Sequence, residues 1–579
     1  MHSGMEKGRT EERAKAASSR LNGIDQGEPG WLRWMVLGLL VICGTLLLFY
    51  RLGQLALWES DEARFALKAL MMRETGNWLI PIRKGQAWLH KPPLQMWLIN
   101  LVALSGGGIN ELTARIPSAL AAMGTLLLTY WWGRRLGGTL FGGLAGFILL
   151  TSGHFLLMGR YNLPEQVMVF FTTLALVAFY AGYHKWLGGW IWYVMYAALG
   201  LATLTKGPVG LLLPALVILA YLAIQRDLGA LRHMRCPSGL LLSAGIILPW
   251  YLAVSLGYGQ SVQPALFGEI IKALLASRGH AEPWYFYLWT VPLSLAPWSL
   301  FLPGLYPLWR WCRKRERTLP DGLRFAGVWG LTVLLAFSVA GQKRSYYSLP
   351  LFPAAAIMVA HVWDFLVESG RSAVRWFRRY LLGVMVILLL LAILLTVAVA
   401  LEGLGVSKGM IEVKRPAYAA LFLAPIFLPL LLAVVSVRRG EYVWAFAVFT
   451  VAWMWFFLFA IRFHAPARDK WTARNVGTTL RQIVSDRRAV WGYGLYSDGI
   501  SFYFGYDIPP LRDFQEVDHR LKGGSPVYLL TDRGLVPGVL AQYPGVMHGC
   551  RDFYYRKRDM RLVLLTNQKC PEEGLGVSK

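Results

Sequence analysis

Cysteines, acidic residues and metal-binding patterns are all scarce in this sequence. Only five of the 579 residues are cysteine, and none of the ten histidines belongs to an HExxH pair. The spacing of the cysteines fits no zinc site. We therefore expect that no cofactor is required. The alternative is a divalent metal bound by His90, Glu62 and His280, and it stays open at this stage.

A basic stripe with interleaved aromatic residues is also missing from every soluble stretch, although Lys and Arg number 59 against 33 Asp and Glu, a formal charge of +26. Nucleic-acid-binding proteins concentrate their positive charge in such a stripe. Here much of the excess lies in loops between apolar runs, where it faces anionic lipid headgroups. The sequence predicts contact with membrane lipids and no binding of nucleic acid.

The sequence lacks a long internal repeat, although the heptapeptide EGLGVSK occurs at both 402–408 and 573–579. Transporters usually carry such repeats and place ionisable residues at the bilayer midplane. The charges of this chain lie instead at the ends of apolar runs and in large loops. A lipid flippase or transporter is therefore the less favoured alternative.

Long apolar runs dominate what is present. Hydrophobic residues make up 55% of the chain and the mean hydropathy is +0.42, so an ordinary soluble protein is excluded. A run of about 20 apolar residues can cross a bilayer as a helix. We predict spans at 32–50, 113–133, 138–157, 165–183, 188–205, 207–224, 238–256, 286–309, 323–340, 347–366, 379–401, 417–437 and 441–462.

Loop charge sets the predicted orientation. If the short run 94–106 is an interfacial helix, Arg-rich loops fall on the cytoplasmic side, as the positive-inside rule requires. Counting that run as a span would reverse every later loop. Residues 1–30 then form a disordered cytoplasmic tail, 31–462 a membrane domain with a first outer loop at 51–112, and 463–579 an outer domain. The first run has no cleavage site and is predicted to remain as an anchor.

The outer domain is predicted to be a small α/β layer. Strand-like runs occur at 489–491, 501–504, 526–530 and 561–565, and a short helical pattern at 480–486 precedes the first of them. Cys550 and Cys570 both lie on this outer side, where disulfides persist, and we expect them to pair. No catalytic motif is evident in this domain.

The most informative segment is Trp58 to Phe65, WESDEARF, which places the acid pair Asp61 and Glu62 just after the first span. Acidic residues beside lipid are costly and usually functional. An alternative for Asp61 is a helix N-cap, stabilised by free amides alone. Lys91 follows in the same loop, so acid and base together suggest a reaction on a lipid-borne anion.

Other charged and aromatic residues gather at outer ends of spans, where cations should be rare. Any one of these cations could be a solvated loop residue, but the group suits a ligand that bears phosphate. The candidates are Glu165, Lys206, Glu269, Arg278, His280, Lys343, Arg344, Tyr346 and Tyr347.

Eight segments in order from about 58 to 353 carry a family resemblance: WESDEARF, WLHKPPLQMWL, ELTARIPSAL, GRYNLPEQ, LTKGPVGLLLP, PWYLAV, HAEPWYFY and KRSYYSLPLFP. Together they resemble the GT-C membrane glycosyltransferases, and within them the lipid A 4-amino-4-deoxy-L-arabinose transferases, relatives of the protein O-mannosyltransferases. The resemblance implies a polytopic α-helical GT-C fold of about 13 transmembrane helices, with interfacial helices in the first periplasmic loop and a small C-terminal α/β periplasmic domain.

The resemblance also implies residue roles. Asp61 matches the essential first-loop acid, and Glu62 stands beside it as a second catalytic candidate. Lys91 and Arg278 occupy the positions that hold the donor phosphate, and Tyr346 or Tyr347 supplies a supporting hydroxyl. One further acid departs from the family, because Glu165 stands where many relatives have Asp.

The implied reaction is an inverting transfer of 4-amino-4-deoxy-L-arabinose from undecaprenyl phosphate to lipid A phosphates at the periplasmic face of a bacterial inner membrane. Such a cap lowers surface negative charge and gives resistance to polymyxin and other cationic peptides. We expect a monomer. The main alternative is a GT-C transferase that moves another polyprenyl-phosphate-linked sugar to protein or glycan.

Overall fold

The computed structural model describes residues 28–58, 61–84, 86–89, 91–258, 282–315, 318–369, 375–403, 416–463, 473–484, 486–555 and 560–570. Their contacts divide the chain into two compact units. The membrane unit comprises Met1–Tyr50, His90–Pro92 and Ser118–His464. The loop–domain unit comprises Arg51–Leu89, Pro93–Pro117 and Ala465–Lys579, so the first long loop and the C-terminal domain belong to one unit.

The first helices in chain order are α1 (Gly30–Phe49), α2 (Glu62–Thr75), α3 (Leu94–Ala103), α4 (Glu111–Leu150), α5 (Gly153–Gly159), α6 (Pro164–Tyr183), α7 (Ile191–Lys206), α8 (Val209–Ile224), α9 (Cys236–Tyr258), α10 (Phe286–Leu295) and α11 (Leu305–Lys314). The remaining ones are α12 (Asp321–Val339), α13 (Phe352–Ser369), α14 (Arg375–Gly403), α15 (Pro416–Leu423), α16 (Phe427–Arg439), α17 (Tyr442–Phe463), α18 (Ala473–Ile483), α19 (Asp498–Phe504), α20 (Gln515–Lys522) and α21 (Val536–Gln542).

The chain is a multi-pass membrane protein, as predicted. Among the described residues, nine helices are long and apolar enough to span a bilayer, and a tenth is reached if the bent pair Phe286–Leu295 and Trp298–Lys314 is one span. All thirteen predicted runs overlap helices, but α7 and α8 have only 16 residues each and fall below a full crossing length. The count of thirteen spans stays a prediction.

Two of the predicted runs lie on α4, which breaks at Gly137 and Gly138. Gly138 has φ +87°, a left-handed value that disfavours side chains with a Cβ. The two halves also touch at glycines, because a Cβ on Gly142 would lie 2.6 Å from the carbonyl oxygen of Tyr130. Small residues therefore turn one long apolar stretch into two closely packed helices.

The carboxylate of Asp321 joins the C-terminal ends of α6 and α8 to the start of α12. Asp321 at the start of α12 accepts hydrogen bonds from Tyr180 on α6, at 3.0 Å, and from Tyr221 on α8, at 2.7 Å. Gln225 and Arg324 donate to it as well, at 2.9 and 2.6 Å. A partly buried carboxylate with several donors is well compensated, so Asp321 ties three helices together at one point.

The loop–domain unit contains a four-stranded sheet in the order β3–β4–β6–β5, with β3 (Val490–Tyr493) parallel to β4 (Tyr528–Asp532). Strands β5 (His548–Tyr555) and β6 (Met560–Thr566) run antiparallel. The loop adds a hairpin of β1 (Ile82–Arg83) and β2 (Gln86–Ala87). One apolar core joins side chains of the loop to the sheet and its helices, among them Leu57, Ala66, Val476, Leu480 and Leu529.

The predicted strand at 501–504 is wrong, because these residues lie in α19. Ser497 caps this helix by accepting a hydrogen bond from the N–H of Ile500, and Gly505 ends it at φ +88°. Cap and stop residues thus override the β-prone composition of Ser-Phe-Tyr-Phe. The α/β character of the domain is otherwise as predicted, and Cys550 and Cys570 are joined in a disulfide.

The disulfide should stabilise the C-terminal domain. It closes a loop of 20 residues, so Cys550→Ser should lower the free energy of unfolding by about 3 kcal/mol. Thermal unfolding of the full chain measures this loss, with Cys43→Ser as the matched control because Cys43 is a free thiol. Equal melting temperatures for the two variants would contradict the prediction.

Candidate functional site

The acid pair lies at the start of α2, and its second member is buried in an ion pair. Arg115 donates to Glu62 through Nε and Nη2, each at 2.7 Å, and the N–H of Trp58 donates to Glu62 Oε2 at 2.8 Å. The side chains of Glu62 and Arg115 are only 1% and 3% exposed. Such a two-pronged pair is strong and directional.

Arg115 also organises the loop around the pair. It donates to the backbone carbonyl oxygens of Leu52 and Leu55 through Nη1, at 2.9 and 2.8 Å, and to that of Ala56 through Nη2, at 3.0 Å. One guanidinium thus fixes the chain that leads from the first span to α2. Both oxygens of Glu62 accept from Arg115, so Glu62 helps to hold the loop, and its catalytic or metal-binding role stays a prediction.

Asp61 differs from its neighbour. Its side chain is 24% exposed, and Oδ1 lies 3.8 Å from Nη1 of Arg64, one turn along α2. Within the described residues, Asp61 occupies the N-cap position, but its side chain accepts no capping hydrogen bond from the helix. The alternative that Asp61 is merely an N-cap residue therefore lacks the contact on which it depends.

A cation cluster occupies the membrane unit. Lys206, the last residue of α7, lies 3.1 Å from Oε1 of Glu165 in the first turn of α6, and both side chains are below 10% exposure. The Lys206 ammonium also lies 4.1 Å from the ring centre of Tyr347. Lys91 and Arg344 are close enough to act on Lys206 electrostatically. Glu165, Lys206 and Tyr347 are thus in contact, and Lys91 and Arg344 lie within electrostatic range of Lys206.

Lys343 and Arg344 lead into a 3-10 helix, Ser345–Leu351, which carries Tyr346 and Tyr347. Lys343 is buried and donates to the carbonyl oxygens of Glu282 and Ala340, at 2.9 and 2.6 Å. Its ammonium therefore stabilises the local backbone, and its contact with ligand stays a prediction. The Arg344 guanidinium lies 5.7 Å from the ring centre of Tyr346, and the Arg344 carbonyl accepts a hydrogen bond from Tyr287 at 3.0 Å.

Several predicted residues cannot be placed. Arg278, Glu269, His280 and His90 lie outside the described residues. Within the part of the chain that is described, no group of three or more His, Cys, Asp or Glu side chains is arranged to hold a metal ion.

Three residues near the acid pair had no role predicted from the sequence: Arg64, Arg115 and Asp498. Arg115 stands in a quoted family segment, and an arginine within an apolar helix was a usable signal. Asp498, in Ser-Asp-Gly, looks like an ordinary turn residue. Asp498 is more than 400 positions from Arg64 in the sequence. Only the fold brings its Oδ2 to 3.5 Å from Arg64 Nε.

Comparison with known proteins agrees with this architecture. Residues 34–258 match the family model "Dolichyl-phosphate-mannose-protein mannosyltransferase". The undecaprenyl phosphate-alpha-4-amino-4-deoxy-L-arabinose arabinosyl transferase 2 of Pseudomonas fluorescens is 32% identical over 379 residues, covering 63% of this chain and 62% of that protein. An uncharacterized protein of Aquifex aeolicus is 32% identical over 307 residues, covering 53% and 68%.

The alignments with the arabinosyl transferases of Pseudomonas fluorescens span about three fifths of the length of those relatives. Among solved structures, ArnT from Cupriavidus metallidurans bound to undecaprenyl phosphate superposes with a TM-score of 0.74 at 19% identity, covering 92% of this chain and 98% of that one. The fold is therefore shared over nearly the whole chain. Residues 34–258 of this chain thus carry a domain that matches the dolichyl-phosphate-mannose-protein mannosyltransferase family, and the chain as a whole shares the fold of ArnT.

Proposed function

We propose that the protein transfers 4-amino-4-deoxy-L-arabinose from undecaprenyl phosphate to phosphate groups of lipid A, with inversion at the anomeric carbon. The reaction is assigned to the periplasmic face of a bacterial inner membrane, and the modified lipid A makes the bacterium resistant to polymyxin-like cationic peptides. The names of the relatives and the undecaprenyl phosphate bound by the ArnT structure support this assignment.

The cation cluster is the observation that carries the proposal. Lys91, Lys206 and Arg344 bring three basic side chains near the single acid Glu165, so basic groups outnumber acidic ones in this cluster. Like charges that are partly removed from water need a counter-charge. A polyprenyl phosphate donor supplies one negative charge as a phosphodiester, and a second appears as the sugar leaves.

The chemistry follows from that charge. An oxygen of the acceptor phosphate attacks the anomeric carbon, the bond from that carbon to the donor phosphate oxygen breaks, and undecaprenyl phosphate departs. Cations that are already in place stabilise the charge that develops on the leaving group. The acceptor phosphate has a second pKa of about 6 and is largely ionised at pH 7. Asp61 then orients the acceptor or takes a residual proton.

A hydroxyl acceptor is the second candidate, and the description of the matching family model favours it. In that case the sugar passes to protein or glycan, and Asp61 must remove a full proton. No metal is needed in either reaction scheme, because the fixed cations can neutralise a monophosphate leaving group. We further propose that the enzyme acts as a monomer embedded in membrane lipid.

Replacing Asp61 should abolish the modification of lipid A. Expressed in a transferase-deficient Gram-negative strain, the wild type should add one aminopentose to lipid A, as seen by mass spectrometry. Asp61→Asn should reduce the transfer rate by about 10²- to 10⁴-fold at normal membrane levels. The matched control is Glu74→Gln, an exposed acid on the same helix. Unmodified lipid A with the wild type would favour the other acceptors.

Replacing Lys91 should weaken donor binding. A hydrogen bond to a charged group contributes about 1.5–3 kcal/mol, so Lys91→Gln should weaken the binding of undecaprenyl phosphate by about 10- to 150-fold. Titration of the purified protein with that lipid measures the effect. Lys84→Gln, an exposed lysine of the same loop, is the control. Equal dissociation constants for the two variants would contradict the role of Lys91.

Replacing Glu62 should damage folding rather than chemistry. Glu62→Gln leaves Arg115 as a buried charge without its anion, so the free energy of unfolding should fall by about 3–5 kcal/mol. Thermal unfolding and specific activity are measured on the same sample. A Glu62→Gln protein with wild-type stability and no activity would restore a chemical role to Glu62.

A further inference from the structure

We propose that the C-terminal domain takes part in the reaction through Asp498, a positioning residue that acts on Asp61 by way of Arg64. The inference rests on the proposed function, in which Asp61 works on the acceptor. The inference gives the C-terminal domain a role beyond packing against the first loop.

Three charged groups form a continuous path within the loop–domain unit. Asp61 Oδ1 lies 3.8 Å from Arg64 Nη1, and Arg64 Nε lies 3.5 Å from Asp498 Oδ2. Arg64 is on α2 and is 33% exposed, whereas Asp498 opens α19 and is only 5% exposed. The Arg64 guanidinium therefore lies near both the partly exposed carboxylate of Asp61 and the buried carboxylate of Asp498.

The buried end of the path is firmly held. Arg83 on the β1–β2 hairpin donates to both oxygens of Asp498, each at 2.8 Å, and the Tyr496 hydroxyl donates at 3.1 Å. The same hydroxyl lies 3.1 Å from Asp507. Burial acts to raise the pKa of Asp498, but the hydrogen bonds and charge of Arg83, with Lys68 and Arg64, bring that pKa below its usual value. Asp498 is therefore a fixed anion at neutral pH.

Asp498 and Asp61 both attract Arg64, and this competition determines how closely Arg64 approaches Asp61. An arginine beside a single carboxylate tends to form a close, two-pronged pair with it. Asp498 attracts the same guanidinium through Nε and is itself held in place by Arg83, so Arg64 is kept at 3.8 Å from Asp61. Without Asp498, Arg64 can close on Asp61 and cover the carboxylate that the reaction uses.

A second ion pair between loop and domain provides the matched control. Arg474 on α18 donates to Glu111 at 2.6 Å, and the two side chains are 28% and 18% exposed. This contact also ties the domain to the loop, but it includes neither Asp61 nor Arg64. If the domain only anchors the loop, breaking either pair should have the same effect on the rate.

The first measurement is kinetic, on the full chain reconstituted in lipid. Asp498→Asn should lower kcat by on the order of 100-fold with the donor KM unchanged, as a misplaced group does. Asp498→Asn added to Arg64→Gln should cause no further loss, and Asp498→Glu should recover part of the rate. Arg474→Gln should retain the wild-type kcat. Equal losses in Arg474→Gln and Asp498→Asn, or multiplicative losses in the double variant, would overturn the proposal.

The second measurement does not depend on which sugar is transferred. Carbodiimide labelling of Asp61, followed by peptide mass spectrometry at one pH, reports how closely Arg64 covers the carboxylate. Labelling should fall severalfold in Asp498→Asn, return in Asp498→Asn/Arg64→Gln, and stay unchanged in Arg474→Gln. Unchanged labelling in Asp498→Asn would refute the inference. A wild type inactive on lipid A would count against the proposed function alone.

Discussion

The buried pair of Glu62 and Arg115 is the contact on which the first loop depends. A charge taken out of water is costly unless it is paired and fully hydrogen-bonded, and here the pair also satisfies three carbonyl oxygens and one N–H of the chain between Leu52 and Trp58. The reactive candidate, Asp61, is the adjacent residue. Its position is thus set by the ion pair that its neighbour Glu62 forms with Arg115.

The membrane unit gathers positively charged side chains among helices that are surrounded by lipid. Lys206 ends α7 and Glu165 begins α6, so each charge sits at a helix terminus of the favourable sign, a cation at a C-terminus and an anion at an N-terminus. Tyr347 offers its ring face to the same ammonium. These local effects make a cluster with excess positive charge tolerable before an anionic ligand arrives.

Sequence reasoning could predict a multi-pass helical protein because apolar length is a local property. It could also single out Lys91, Lys206 and Arg344, since cations near span ends predicted to face outward break a compositional rule, and the acid Glu165 near them. It could not assign Glu62, because an acid in a buried ion pair and a catalytic acid look the same without the partner. The helix at 498–504 was missed for a related reason: its cap and its stop outweigh the composition between them.

Asp498 marks the limit of what a single sequence reveals. Its partners Arg64 and Arg83 come from the first loop, more than 400 positions earlier, and no periodicity or motif connects them. Long-range pairing of this kind is decided by the apolar core that loop and domain share. Only after that core is known do the polar contacts become predictable.

The division of the loop–domain unit along the chain has a consequence for biosynthesis. Its two parts are separated by the 347 residues from 118 to 464. Ribosomes add about 5–20 residues per second, so roughly 20 to 70 s pass between the synthesis of the first loop and the start of the segment that supplies the rest of its core. During that interval its apolar side chains lack their partners and remain a target for chaperones. A chain that stops before Ala473 therefore inserts its membrane helices but leaves the first loop without the partners of its apolar core.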